Sequence, residues 1–183
     1  MGTMTASAAQ VKMSLEPRFL VVMGVSGTGK TTIATGLATR LGWHFQEGDA
    51  LHPPANVEKM STGQPLTDVD RAPWLALCHD WLRAQVEAGH GAVLTCSALK
   101  RAYREQLRAN GLPIEFVHID TSGTELAARL ERREGHFMPA SLLPSQLATL
   151  EVPGDDEPVI RVSGEKHPDV VLEELIRHFQ TEG

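Results

Sequence analysis

Apolar residues run without a break through Phe19-Leu20-Val21-Val22-Met23, which suits a strand buried on both faces of a parallel sheet. The run stops at Gly24. Further on, Ile33, Leu37 and Leu41 recur every fourth position with Ala34 and Ala38 beside them, and Gly42 follows as a stop signal. That spacing predicts a helix of about three to four turns. The alternation then continues along the chain. Strands are expected at Trp43–Gln46, Ala92–Cys96, Ile114–Ile119 and Val159–Val162. Helices are expected at Pro54–Ser61, Pro73–Ala88, Leu99–Ala109, Glu125–Glu134 and Val170–Phe179. Strands alternating with helices predict an α/β fold, a parallel sheet covered on both sides. Between Gly135 and Pro158 the pattern is interrupted by Pro139, Pro144, Pro153 and Gly154, so a mobile insert, a lid over approximately 134–157, is expected there. Residues 1–17, small and polar without sustained periodicity, read as a disordered leader outside the core.

The 183 residues are about one domain's worth of chain, and residues 18–183 are read as a single domain. With 42% hydrophobic and 22% charged residues, the composition is that of an ordinary globular protein. Its 17 Lys and Arg against 23 Asp and Glu leave a formal charge of −6. That field disfavours nucleic acid and anionic membrane, so an anionic ligand needs a local positive site. Cys78 and Cys96 are the two cysteines. No secretory signal pattern stands at the start and no apolar stretch is long enough to span a bilayer, so a cytoplasmic protein with two reduced, buried thiols is expected.

Gly24-Val25-Ser26-Gly27-Thr28-Gly29-Lys30-Thr31 fits G-x-x-x-x-G-K-[ST] and lies between the buried strand and the first helix, the setting this phosphate-binding loop requires. Glycines let the backbone wrap phosphate oxygens with N–H groups turned inward, and the helix N-terminus adds positive potential. Lys30 is expected at the β and γ phosphates, Thr31 on Mg²⁺, and Thr32 beside them. No Asn-Lys-x-Asp guanine-reading segment occurs, which disfavours a GTPase, and the chain is short for a motor. A small-molecule kinase using ATP and Mg²⁺ fits these observations.

Acceptor chemistry is expected at the C-terminal edge of the sheet. Asp49, after the second strand, could orient an acceptor hydroxyl or hold Mg²⁺ through water; the other reading is an N-cap for the next helix. His52 could face the acceptor or make a structural hydrogen bond. Arg71, in a turn-rich stretch after Lys59, has the planar fork that binds a carboxylate, unless it pairs with Asp68 or Asp70. Trp74 and Trp81 read as core. Ser97 and Lys100 follow the third strand, and Asp120 rivals Asp49 as the metal-side carboxylate unless it caps the helix that follows. Arg129, Arg132 and Arg133 precede the insert, where guanidinium groups could stabilise a transferring phosphoryl group.

Together these segments resemble the short P-loop gluconokinases, relatives of shikimate and nucleoside monophosphate kinases. The resemblance is carried by Gly24–Thr31, Gly48-Asp49-Ala-Leu-His52-Pro53, Lys59-Met60 through Leu75, Cys96–Lys100, Arg133-Glu-Gly-His136-Phe-Met138, Ser145-Gln146 and Thr149-Leu-Glu151. It covers nearly the whole chain from about Phe19. It implies a five-stranded parallel sheet with a lid, transfer of the ATP γ-phosphate to the 6-hydroxyl of D-gluconate, and a homodimer. A kinase for another small hydroxy acid, such as shikimate, is the competing reading. By the same resemblance Arg129 lies against adenine, bordered by the loop Ser163–Pro168. Lys30, Asp49 and Arg133 are expected to carry catalysis, and Asp49, His52, Lys59, Arg71, Ser97, Lys100 and His136 to hold the acceptor, with the carboxylate role of Arg71 resting on its chemistry and not on the resemblance.

Overall fold

The computed structural model describes residues 15–132 and 142–182. Five strands, β1 (Phe19–Met23), β2 (His44–Glu47), β3 (Ala92–Thr95), β4 (Ile114–Asp120) and β5 (Val159–Ser163), form one sheet in the order β2-β3-β1-β4-β5. Every pairing is parallel, with Val22 opposite both Thr95 and Val117, Glu47 opposite Thr95, and Asp120 opposite Ser163. All five strands therefore deliver their following loops to one edge. The expected fold class holds.

Seven helices connect or cover them among the described residues: α1 (Lys30–Leu41), α2 (Pro54–Ser61), α3 (Asp68–Ala88), α4 (Arg101–Leu107), α5 (Gly123–Glu131), α6 (Leu143–Thr149) and α7 (Pro168–Thr181). The continuous apolar run of β1 has its reason in the packing. Phe19, Val21 and Met23 join Trp74, Leu75 and Leu82 of α3, Leu107 of α4 and Leu143 of α6 on one face. Leu20 and Val22 meet Ile33, Leu37 and Leu41 of α1 and Leu172, Ile176 and Phe179 of α7 on the other. Apolar burial on both faces, at about 25 cal/mol per Å², is the main force holding the layers together. Leu15, assigned by the sequence to the leader, is half-buried against the α1–α7 side.

Element boundaries differ from the expected ones where caps outweigh local pattern. Helix α3 starts at Asp68, ahead of the expected Pro73, because Thr67 and Asp70 form a capping box. Asp70 N–H donates to Thr67 Oγ1 at 3.2 Å, and Thr67 N–H donates to Asp70 Oδ2 at 2.8 Å. Pro73 then falls inside the helix and withholds one N–H there. Helix α6 lies in the segment expected to be an insert, and it places Pro144 in its first turn, where proline is tolerated. Both cysteines are free and buried.

Candidate active site

The phosphate loop leaves β1 at Gly24, whose φ of 147° is open to glycine and strained for other residues. A Cβ there would lie 3.0 Å from the Ile119 carbonyl oxygen and from Thr28 Oγ1. The turn is closed by Thr28 Oγ1 donating to the Val25 carbonyl at 3.1 Å. Lys30 opens α1 and folds back over the loop, donating from Nζ to the carbonyls of Gly24 at 2.9 Å and Val25 at 3.0 Å. Its ammonium is thus held where phosphate oxygens arrive in a P-loop.

Next to it stands Glu47, the last residue of β2, which no local sequence pattern singles out. Thr31 Oγ1 donates to Glu47 Oε2 at 2.7 Å, and Thr95 Oγ1 donates to Glu47 Oε1 at 2.6 Å. Thr95 Oγ1 in turn accepts from the Gly48 N–H at 2.9 Å. A cleft of about 230 Å³ opens here, lined by Ser26, Gly27, Gly29, Lys30, Thr31, Thr32, Glu47, Asp49 and Arg129. Asp49 sits in a single 3₁₀ turn, Gly48–Leu51, and α2 is preceded by Pro53 without a side-chain cap, so Asp49 does not cap that helix. Asp120 faces a separate recess with Ser122, Arg161 and Glu165. Of the two carboxylates weighed, Asp49 lines the phosphate cleft and Asp120 does not.

Among the described residues no three His, Cys, Asp or Glu side chains group so as to hold a metal by themselves. One hydroxyl and two carboxylates around a phosphate site are instead the hard oxygen donors that suit Mg²⁺ carried in with phosphates. The residues present fit that ion.

Arg129, on α5, bridges the loop to the far strand, donating to the carbonyls of Gly27 at 3.2 Å and Gly164 at 2.7 Å while Glu125 accepts from its Nε at 3.0 Å. It also borders a second cavity of about 120 Å³ with Thr28, Gly29, Thr32, Ile119, Ser163, Gly164, Lys166 and Pro168. A cavity beside the phosphate loop with Ile33, Ile119, Pro168 and Val171 in its walls offers apolar surface to a nucleoside base. It falls where the resemblance placed adenine, with Arg129 and the Ser163–Pro168 loop as its walls.

On the opposite side of the phosphate loop, His52, Arg71, Trp74 and Ser97 line a cavity with Met60, Leu66, Leu142, Ser145 and Gln146. It measures about 30 Å³. Arg71 is buried and pairs with neither acid weighed against it; its Nη1 donates to Tyr103 Oη at 2.9 Å, with the guanidinium 5.3 Å above that ring. Tyr103 Oη donates to Asp68, and Lys100 Nζ reaches the same carboxylate at 3.0 Å. The Tyr103 bond and the Lys100 ammonium hold Asp68 below the usual carboxylate range. Neither Lys100, expected to hold the acceptor, nor its partner Asp68 lines this cavity.

His52 stacks on Trp74 with ring centroids 4.0 Å apart, and Trp74 Nε1 donates to the Gly48 carbonyl at 2.8 Å. Burial first, and the Arg71 charge second, lower the His52 pKa to about 4, so the imidazole is neutral near pH 7. Its Nε2 stands 4.0 Å from Asp49 Oδ1. Trp74 is therefore both core and cavity wall. Lys59 lines neither the phosphate cleft nor this cavity. Its ammonium is 2.7 Å from Asp70, the capping carboxylate of α3, whose pKa it and the Thr67 N–H depress to about 2.

Three further residues organise the site: Gln146 stands in a segment that carries the resemblance but has no role assigned by it, and Tyr103 and Arg104 lie in no motif. Gln146 of α6 joins the acceptor-side cavity to Ser26 of the phosphate loop. Tyr103 supports Arg71. Arg104, buried in α4, donates to Glu157 at 2.7 and 3.1 Å and to the carbonyls of Ala98, Leu99 and Glu151, fixing the loop that carries Ser97. Arg133 and His136 lie outside the described residues, as does the 134–141 part of the expected lid.

A family model described as an AAA domain matches residues 19–153. A gluconokinase of Gluconobacter oxydans (strain 621H) is 90% identical over 173 residues, covering 94% of this chain and 97% of that protein. A solved gluconokinase from Sinorhizobium meliloti 1021 is 42% identical, covers 92% of this chain and 94% of its own, and superposes with a TM-score of 0.80. A solved sugar kinase from Janibacter sp. HTCC2649 is 48% identical over 88% of this chain and 93% of its own, with a TM-score of 0.83. Identity of that extent along nearly the full length of both partners accords with a phosphate loop that has a cavity bearing Arg71 and His52 on one side and a second cavity beside Arg129 on the other: the chain belongs to the gluconokinase family of ATP-dependent P-loop kinases.

Proposed function

We propose that this chain transfers the γ-phosphate of ATP to the 6-hydroxyl of D-gluconate, yielding 6-phospho-D-gluconate and ADP. The observation that carries the reading is the cavity holding Arg71 and His52 directly beside the phosphate cleft, with Asp49 between them. Arg71, held by Tyr103, offers a guanidinium to the acceptor carboxylate and so sets which end of the chain faces the phosphate. Asp49 orients the attacking hydroxyl, and neutral His52 supplies a hydrogen bond beside it without adding charge.

Lys30 leaves the loop carbonyls for the phosphoryl oxygens and, with Arg133, offsets charge that spreads onto them during in-line transfer. Thr31, Glu47 and Asp49 are the residues that would hold Mg²⁺, which would supply positive charge against the charge developing on the phosphoryl group. His136 is read as a further acceptor ligand. A homodimer in the cytoplasm is the accompanying expectation; no helix among the described residues is long and apolar enough to cross a membrane.

Arg71 could serve another hydroxy acid, including shikimate; what favours gluconate is the full-length identity to gluconokinases. The test is ADP release from Mg·ATP with gluconate, shikimate or no acceptor, in wild type and Lys30→Ala. Gluconate-dependent release that the substitution abolishes supports the reading. Release indifferent to the acceptor sinks it.

A further inference from the structure

Backbone N–H groups of a phosphate loop are there to meet phosphate oxygens. One of them is already taken. The Ser26 N–H donates to Gln146 Oε1 at 2.7 Å, and Gln146 Nε2 donates back to Ser26 Oγ at 3.1 Å. The two residues are 120 positions apart, and both are buried, at 7% and 8% exposure. An amide oxygen thus occupies a donor of the loop from the acceptor side.

Gln146 also lines the acceptor-side cavity, together with Leu142 and Ser145 from the same segment. At about 30 Å³ that space is far tighter than the phosphate cleft of about 230 Å³. An acceptor seated there presses on this wall. Helix α6 is anchored at its C-terminal end, where Glu151 N–H donates to the Leu99 carbonyl at 2.7 Å and Glu151 Oε1 accepts from the Arg101 N–H at 3.0 Å. The Gln146–Ser26 pair is the link from α6 to the phosphate loop.

We infer that Gln146 is a positioning residue that couples the two substrates: without acceptor it holds the Ser26 N–H, and acceptor entry withdraws it and frees that N–H for nucleotide phosphate. The inference takes the acceptor's identity from the proposed function, but the contact stands independently of which acid binds. Its consequence is positive cooperativity, because nucleotide alone must first displace Gln146, and an acceptor lifts that penalty.

The experiment is calorimetric titration of a non-hydrolysable ATP analogue with Mg²⁺, with and without gluconate, into wild type, Gln146→Ala and Gln146→Glu, with melting temperatures alongside. Gln146→Ala should bind the analogue about fivefold or more tighter than wild type in the absence of gluconate, with no further gain when gluconate is added. Gln146→Glu should bind it more weakly than wild type, since a carboxylate grips the N–H and repels phosphate. A merely structural glutamine weakens binding in both variants. Equal or weaker binding by Gln146→Ala overturns the proposal; if that variant melts early, Gln146→Met, closer in volume, takes its place under the same criterion. A wild type that ignores gluconate while the two variants still diverge removes gluconate as acceptor and leaves the contact's role standing.

Discussion

The hydroxyl of Thr31, the second residue of α1, donates to the carboxylate of Glu47 at the end of β2, and 2.7 Å separates them. That bond connects the phosphate loop to a strand across the sheet, with β3 completing the link through Thr95. Carboxylates that hold a metal or hydrogen-bond its ligands typically change metal affinity or activity by about 10- to 100-fold when altered. Glu47→Gln is therefore expected to raise the Mg²⁺ concentration needed for half-maximal turnover by that order, with little change in melting temperature. Steady-state rates across an Mg²⁺ titration check it, and an unchanged Mg²⁺ dependence would remove Glu47 from the metal's surroundings.

Arg71 and Tyr103 should separate by size of effect. Arg71→Ala takes away the charge proposed to meet the acceptor carboxylate, a loss of about 2–4 kcal/mol in gluconate kcat/KM if that pair is desolvated. Tyr103→Phe leaves the guanidinium in place but removes the oxygen that accepts from it, a smaller loss of about 1 kcal/mol. Neither should alter the KM for ATP. Gluconate kinetics unaffected by Arg71→Ala would refute the carboxylate role.

Arg104 and Glu157 are 1% and 8% exposed at their side chains, and they meet through two hydrogen bonds. Removing one member of a buried pair strands the other, which costs about 3–5 kcal/mol. Arg104→Ala should lower unfolding free energy by that amount in a denaturant titration. Arg104→Met combined with Glu157→Leu should recover much of it, because no lone charge is left inside. A double variant as unstable as the single one would show that Arg104 stabilises the fold chiefly through its bonds to the carbonyls.

His52 gives a pH dependence with a definite sign. Its pKa falls from 6.5 in the unfolded chain to about 4 in the fold, so between those values the unfolded state binds more protons and stability rises with pH. The contribution is complete above pH 6.5 and drains away as pH drops towards 4, about 3 kcal/mol in all at about 1.4 kcal/mol per unit. Stability of wild type minus that of His52→Gln, followed from about pH 7 to about pH 4, isolates it from the carboxylates. A flat difference would mean the imidazole is accommodated in its charged form.

Much of this was legible in the chain because it is local. The phosphate loop, Lys30 and Thr31 occupy eight consecutive residues between a buried strand and an amphipathic helix, and the strand-helix alternation follows from periodicity alone. Glu47 is invisible to such patterns because a carboxylate ending a short, half-exposed strand resembles any surface acid until β3 brings Thr95 beside it. Gln146 falls in a segment that carries the resemblance, but its role was not legible, because its partner Ser26 lies 120 residues away, a relation no local pattern carries. Lys59 shows the reverse: a cation near the acceptor segment in sequence, it is engaged by the helix cap at Asp70. The same cap, Thr67 with Asp70, explains why α3 begins before Pro73.

Between Glu47 and Asp49 stands Gly48, and a Cβ placed there would lie 1.8 Å from the carbonyl oxygen of Thr95. The two carboxylates of the phosphate cleft are consequently spaced by main chain pressed against main chain, and side-chain repacking cannot widen that contact. For anyone wishing to retarget the acceptor preference, this divides the site into negotiable and fixed parts. His52, Arg71 and Ser97 can be exchanged as cavity lining, whereas any side chain at position 48 would drive β2 away from β3 and displace Glu47 and Asp49 together.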